Sequence, residues 1–292
     1  MLLFLINIIG VAYVVTMNGA NIIERTKCIF YYENKVTPYS DRTHVTRICN
    51  FMMYFQSTFY ATITDCYFHD FNSNENTEMI QIDFSNEGNS PSLTPYDNTI
   101  SRYITITHCK FNNTGCYDGS KSTGVAGIGN HQNNPVRDVI ISDCLFNNLH
   151  TCIRFRSIVG LHIRNLDIQN CGHAFVFNHN AVMDYSDRCR YITIMNCFMF
   201  LDAHATRTYL TFANDNNTDF KSDNIRIQDN SFQGSGGTYN QIDCTKATNF
   251  IFMNNYMINL NKNTAFPGRP PGEYFIRNNI IQGEFVDNLT FA

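Results

Sequence analysis

The sequence predicts an all-β chain wound as a right-handed parallel β-helix, a solenoid of about eight or more coils with loop insertions. Three observations carry this. One phrase recurs: "ATITDCYFHDF" at 61–71, "YITITHCKFNN" at 103–113, "VIISDCLFNNL" at 139–149 and "YITIMNCFMFL" at 191–201. Within each copy apolar and polar residues alternate with a period of two, as in a strand with one buried face. Charged residues make up only 16% of the chain, while Asn, Thr, Ile, Phe and Tyr abound, a balance that favours strands and turns over helices.

The elements follow in order. Residues 1–50 open with "MLLFLINIIGVAYVV", apolar but for Asn7. No Lys or Arg precedes that run and no small-x-small cleavage site follows it cleanly. It therefore reads as hydrophobic opening strands that cap the helix, in preference to a signal or anchor. It is also short for a membrane span, so membrane insertion is not expected.

Residues 51–292 form the β-helix domain. Its frame is two alternating apolar residues, two polar positions, a small residue and an aromatic. Ile104, Ile106, Cys109 and Phe111 fit it, then Ile140, Cys144 and Phe146, then Ile192, Ile194, Cys197 and Phe198. "GLHIRNLDIQN" (160–170) keeps it with Leu166 in the small slot. Asn230, Asn255 and Asn279 take that slot in the last three copies, and Cys66 takes it in the first. The break in alternation before the slot marks a corner, where the chain turns onto another sheet. Pro267, Pro270 and Pro271 in "AFPGRPPGEY" (265–274) read as a long exposed loop. The end of the helix is expected to leave strand edges open to a partner chain or a further segment.

The 11 cysteines are odd in number, with no CxxC pair and no Cys/His cluster of structural-zinc spacing. Those in the slot read as reduced core thiols, since a small, well-buried side chain suits a tight inward corner. Asn in the later slots is expected to build a hydrogen-bonded ladder along the stack. No metal or cofactor is called for. A formal net charge of −4, with 21 Lys and Arg that do not cluster, argues against nucleic acid as a partner.

A β-helix presents outward side chains of successive coils as columns. In "MIQIDF" (79–84) Ile80 and Ile82 point inward, which sends Gln81 and Asp83 outward. "GIGNH" (127–131) places Ile128 inward, with Gly129 and His131 outward and no side chain at Gly127 to crowd a ligand. "CIRFRS" (152–157) sends Arg154 and Arg156 outward, and "FVFNHN" (175–180) sends Asn178 outward. An acid, an imidazole and two guanidiniums in neighbouring rows suit an anionic or polyhydroxylated sugar. Asp83 or His131 would exchange protons, and the arginines would bind a uronate-like charge. The bland alternative is a solvated face of ion pairs. His108 at a corner, His162 on another sheet and His204 in an insertion read as surface residues.

Over residues 55–285 this frame resembles the pectate-lyase-like family of β-helix proteins. The order "EMIQIDF", "YDNT", "ITITHCKFNN", "GIGNH" is similar to phage tail-spike and bacterial surface β-helix proteins. That resemblance implies processing or binding of a polysaccharide or cell-surface glycan, on a virion or extracellularly, and a homotrimer for a phage spike. It also implies Gln81, Asp83, Asp97 and His131 as site residues. Asp83, His131 and Arg154 are then the catalytic candidates, and Gln81, Asp97, Arg156 and Asn178 the substrate-binding ones. The chain departs from the polygalacturonases of this fold, whose Asn-Thr-Asp, Asp-Asp and Gly-His-Gly motifs it lacks. Arg154-Phe155-Arg156 is a loose echo of their Arg-x-Lys. Hydrolysis needs two carboxylates, and Asp83 finds a partner only in Asp97 or Glu78. A metal-free lyase with His131 or an arginine as base fits better. Three readings stay open: a lyase or glycoside hydrolase, a non-catalytic carbohydrate- or receptor-binding β-helix, and a purely structural one.

Overall fold

The computed structural model describes residues 29–31, 51–56, 59–69, 77–83, 101–113, 122–127, 135–179, 189–201, 208–214, 222–234, 241–260 and 265–287. Their strands form three sheets of ten, seven and eight strands. Each coil visits the sheets in turn. Thr151–Phe155 lies in the seven-stranded sheet, Ile158–Arg164 in the eight-stranded sheet and Asp167–Gln169 in the ten-stranded sheet. Within each sheet successive coils pair in parallel, except at the final strand Glu284–Val286; Leu161, for example, pairs with both Val139 and Ile192. The fold is the right-handed parallel β-helix that the repeat predicts.

Stacking identical phrases puts identical side chains above one another. Ile63, Ile106, Ile141, Ile163, Ile194 and Ile227 form one inward column, each nearly inaccessible to water. Phe68, Phe111 and Phe146 stack with ring centroids 4.9 and 4.6 Å apart and planes within 4°. That is the strand spacing of ~4.8 Å expressed in aromatic rings.

The corner after each eight-stranded-sheet segment depends on two adjacent residues. The first adopts a left-handed backbone in every coil: Asp65, His108, Asp143, Asn165, Asn196, Asp229, Asn254 and Asn278 all have φ between 53° and 57°. Asn, Asp and His tolerate this region best among residues with a Cβ. The second residue is the buried slot. Asn279 Oδ1 accepts from the backbone N and the Nδ2 of Asn255 at 3.0 and 3.1 Å, and Asn255 Oδ1 does the same for Asn230 at 3.1 and 3.1 Å. Cys109 N donates to Cys144 Sγ at 3.4 Å, so sulfur fills the acceptor role in the earlier coils.

Three expectations need correction. Ile140 faces outward and is half-buried, while Val139 and Ile141 are the core residues of that strand. Phe198 is also outward, 39% exposed, and Met199 is its buried neighbour. Inward positions lie five and three residues before the slot and two after it, and neither Ile140 nor Phe198 sits at one. The third concerns 265–274, whose first part is no exposed loop. Ile242 N donates to Ala265 O at 2.7 Å, and Phe266 is buried edge-on to Phe252 at 5.5 Å. The segment covers apolar side chains that would otherwise end in water.

Of residues 1–50 only Ile29–Tyr31 is described, paired in parallel with Tyr67–His69. The question of a signal or anchor lies outside the described residues. Among those described, no helix is long and apolar enough to cross a membrane. At the other end Glu284–Val286 turns back antiparallel onto Asn279–Ile281, and Phe285 stands 81% exposed on it.

Candidate functional site

The seven-stranded sheet carries most of the residues singled out from the sequence. Its strands do not alternate strictly. Met79 and Ile80 are both fully buried, as are Cys152 and Ile153, Ala174 and Phe175, and Tyr209 and Leu210. An outward residue precedes each pair and another follows it. Two outward rows result along the helix axis. One runs Glu78, Thr123, Thr151, His173, Thr208, and the other Gln81, Ala126, Arg154, Val176, Thr211, Asp243.

Gln81 and Arg154 therefore share a row, two rungs apart. Asp83 and Asn178 belong to the ends of the Thr77–Asp83 and His173–His179 strands, and their side chains are outside the described residues. Arg156 follows directly on the Thr151–Phe155 strand and is half-buried. His131 and Asp97 lie outside the described residues. Of "GIGNH" only Gly127 is described, and it departs from the outward position expected of it. Gly127 pairs with Ile82 and Phe155 and so takes an inward position. A Cβ there would stand 2.2 Å from Phe155 Cδ1, so this glycine makes room for a core ring and not for a ligand.

Arg154 reaches along its column instead of out into water. Its Nη2 donates to Glu78 Oε1, forming an ion pair between coils two rungs apart. The Ser122–Gly127 strand runs between them, and all six of its residues are buried. Only Ala126 occupies Arg154's row there, a side chain small enough to lie under the guanidinium. Burial raises the Glu78 carboxyl above its ordinary pKa, because an anion loses its hydration there. The positive charges of Arg154 and Arg156 and the hydrogen bond from Arg154 oppose that shift without cancelling it. The carboxylate beside Arg154 is thus Glu78, which strict alternation turns inward. The repeated apolar doublets (Met-Ile, Cys-Ile, Ala-Phe, Tyr-Leu) are the signal that would have placed it outward.

Sequence reasoning also passed over two histidines on this face. His173 Nδ1 is 2.8 Å from Thr208 Oγ1, and His150 Nδ1 is 3.0 Å from Thr151 Oγ1. Their rings meet edge to face at 5.1 Å. Carboxyl, guanidinium, imidazole and amide groups thus line one face, an assortment that bonds hydroxyls and carboxylates alike.

The described cysteines carry no such chemistry. None of the eight forms a disulfide, and all are buried. Hydrogen bonding with Cys144 pushes the Cys109 thiol up to about 12, and burial pushes Cys189, Cys197 and Cys244 up to about 12. A thiol held neutral is a poor nucleophile.

No protein-family model matches the chain, and no curated protein does. Its structure is similar to that of PfbA, a surface adhesin of Streptococcus pneumoniae. The TM-score is 0.50 at 10% identity, covering 80% of this chain and 63% of the adhesin. A hyperthermoactive exopolygalacturonase from Thermotoga maritima follows, with a TM-score of 0.43 at 11% identity over 81% of this chain and 56% of the enzyme. What is shared is the fold. This chain spans less than two thirds of either neighbour's length.

Proposed function

We propose that this is an extracellular or cell-surface β-helix protein that binds an acidic or hydroxyl-rich glycan along the outer face of its seven-stranded sheet. The observation behind this reading is the convergence of Arg154 and Arg156 on the buried carboxyl of Glu78, with Gln81, His150 and His173 on the same face. A guanidinium anchored by a carboxylate presents its remaining donors in a fixed direction, as recognition of a sugar hydroxyl or a uronate requires. The likeness in fold to a surface adhesin supports a binding role at the cell surface.

Cleavage is a second reading, favoured by one observation: the pKa of Glu78 is raised. A carboxyl that burial makes slower to give up its proton suits a general acid. Asp83, at the end of the same strand, would be the second carboxylate of a hydrolase, while a lyase would take its base from His131 or an arginine. The phage-spike form of this reading adds a homotrimer, which light scattering would detect as a threefold mass.

A panel of acidic and neutral bacterial polysaccharides tests both readings. Retardation in affinity electrophoresis that is lost in Arg156→Ala supports binding. New unsaturated uronate absorbance, or new reducing ends, abolished by Glu78→Gln would establish turnover. Neither retardation nor turnover with any member of the panel would leave the purely structural reading in place.

A further inference from the structure

The strands of the eight-stranded sheet contain a second row of left-handed residues. In coil order it runs Tyr103, Asp138, Gly160, Tyr191, Asn224 and Asn249, with φ of 59°, 52°, 81°, 56°, 55° and 47°. The pairing on either side of each places them one above another. Asp, Gly and Asn suit such a position. Tyr does not, because a bulky side chain in this region is strained. Among the described residues these are the only two aromatic side chains other than His108 with positive φ, and both fall in this row.

Folding alone does not select tyrosine here, and neither ring is compensated by burial: Tyr103 is 41% exposed and Tyr191 is 56% exposed. Strain retained at exposed side chains points to a function. Three rungs separate the two rings, roughly 14 Å at the usual strand spacing. Between them lies Gly160, where a Cβ would come within 2.9 Å of Asp138 Oδ1, so the Asp138 carboxylate occupies the middle of the span. The adjoining row is Arg102, Arg137, Val159 and Arg190, all half-buried, with Arg102 5.4 Å from the Tyr103 ring centroid. Asp223 continues that row beyond Arg190, its carboxylate accepting from Asn224, Thr248 and Asn249. Among the described residues of these two rows three arginines stand against two carboxylates, Asp138 and Asp223, so the balance of charge along the two tyrosines is positive.

We propose that Tyr103, Asp138 and Tyr191, with Arg102, Arg137 and Arg190 beside them, form a second glycan-binding surface that takes a uronate-containing chain lying along the helix axis. The apolar faces of two sugar rings pack on the tyrosines. Asp138 accepts from hydroxyls between them, and the arginines meet the uronate carboxylates. This inference shares its ligand class with the reading above but none of its residues.

The test uses the full chain and isothermal titration with oligosaccharides of polygalacturonate, alginate and hyaluronan, with laminarihexaose as the neutral control. The variants are Tyr103→Asn with Tyr191→Asn, Tyr103→Phe with Tyr191→Phe, and Glu78→Gln. The Asn pair is expected to bind the preferred acidic glycan at least tenfold more weakly. It should also melt at or above the wild-type temperature, since Asn relieves the backbone. The Phe pair is expected to stay within threefold of wild type. Undiminished binding by the Asn pair would overturn the proposal, as would a lower melting temperature for that pair or wild-type binding to none of the three acidic glycans. Loss in Glu78→Gln without loss in the Asn pair would confine the glycan to the seven-stranded sheet. That outcome would sink this proposal and leave the reading above intact.

Discussion

At the scale of single residues, the ion pair between Glu78 and Arg154 is the most informative contact. Both side chains are largely withdrawn from water, 5% and 13% exposed. Removing the cation leaves a buried carboxyl with an unmet charge, so Arg154→Ala is expected to cost about 3 kcal/mol. Adding Glu78→Gln should recover much of that, and urea unfolding of the single and double variants measures it. The sign with pH follows from the raised pKa. Between the ordinary glutamate value and the raised folded-state value, the folded chain holds a proton that the unfolded chain has released. Stability from this group is therefore unaffected below that window and declines as pH rises through it. Arg154→Ala should extend the window upward, since the opposing charge is gone, and Glu78→Gln should abolish it. A flat urea midpoint from pH 4 to 8 in the wild type would contradict this. Gly127 is the simpler case. A methyl group there meets the Phe155 ring at 2.2 Å inside the packed core, and Gly127→Ala should cost roughly 1–3 kcal/mol in thermal or chemical unfolding.

At the scale of the element, the corner column explains what the sequence discloses and what it hides. Cys, Leu or Asn occupies the same slot in every described coil, buried each time at the tight inward corner. The stack could therefore be counted without coordinates. Ile140 and Phe198 were misplaced because one left-handed residue precedes each slot and shifts the alternation on either side of it. A different departure from alternation limited the reading of the site. Arg154 and Gln81 fall in one row as strict alternation requires, but the apolar doublet Met79-Ile80 brings Glu78 to the outer face, where alternation predicts an inward residue. Phe155 claims the space at Gly127 through a contact between coils, and no single strand encodes such a contact.

The slot itself yields two expectations. Asn255→Ala strips an acceptor from the backbone N and the Nδ2 of Asn230 and should cost about 1–3 kcal/mol, whereas Asn255→Cys should cost less because sulfur serves at Cys144. Calorimetry of the two variants separates them. The buried thiols should also be inert. A chain with Cys28, Cys49 and Cys116 replaced by Ser is expected to take up no iodoacetamide at pH 8 until it unfolds, and mass spectrometry of the intact protein reads this directly. Rapid labelling of Cys109 or Cys197 in the folded state would refute the hydrogen bonding with Cys144 that raises the first thiol's pKa and the burial that raises the second's.

At the scale of the whole molecule, each coil packs chiefly on its neighbours, the Glu78–Arg154 pair reaching one rung further, so stability is close to a sum over coils and their interfaces. A complete coil should then be removable if every column stays in register. The segment 145–166 meets that condition, since Asp167 would follow Cys144 just as Leu145 does. Phe111 would then stack on Ile168 in place of Phe146, Ile141 on Ile194 in place of Ile163, and Val125 on Phe175 in place of Ile153. Gly127 would receive the Phe177 ring where it now receives that of Phe155. Because Arg154 leaves with this coil, the deletion must be combined with Glu78→Gln to avoid stranding a buried carboxylate. The shortened chain should retain a β-rich circular dichroism spectrum and a single unfolding transition. Its denaturant slope should be smaller by about one coil's share of buried surface. It also loses Arg154 and Arg156 from one face and brings Tyr103 and Tyr191 one rung closer on the other, so its binding of acidic glycans should weaken on both sheets. A folded deletion that binds as well as the parent would remove both surfaces from consideration while upholding the stack. An insoluble or partly folded one would mean that the coils are not interchangeable units, and the column register inferred from the repeat would fail with it.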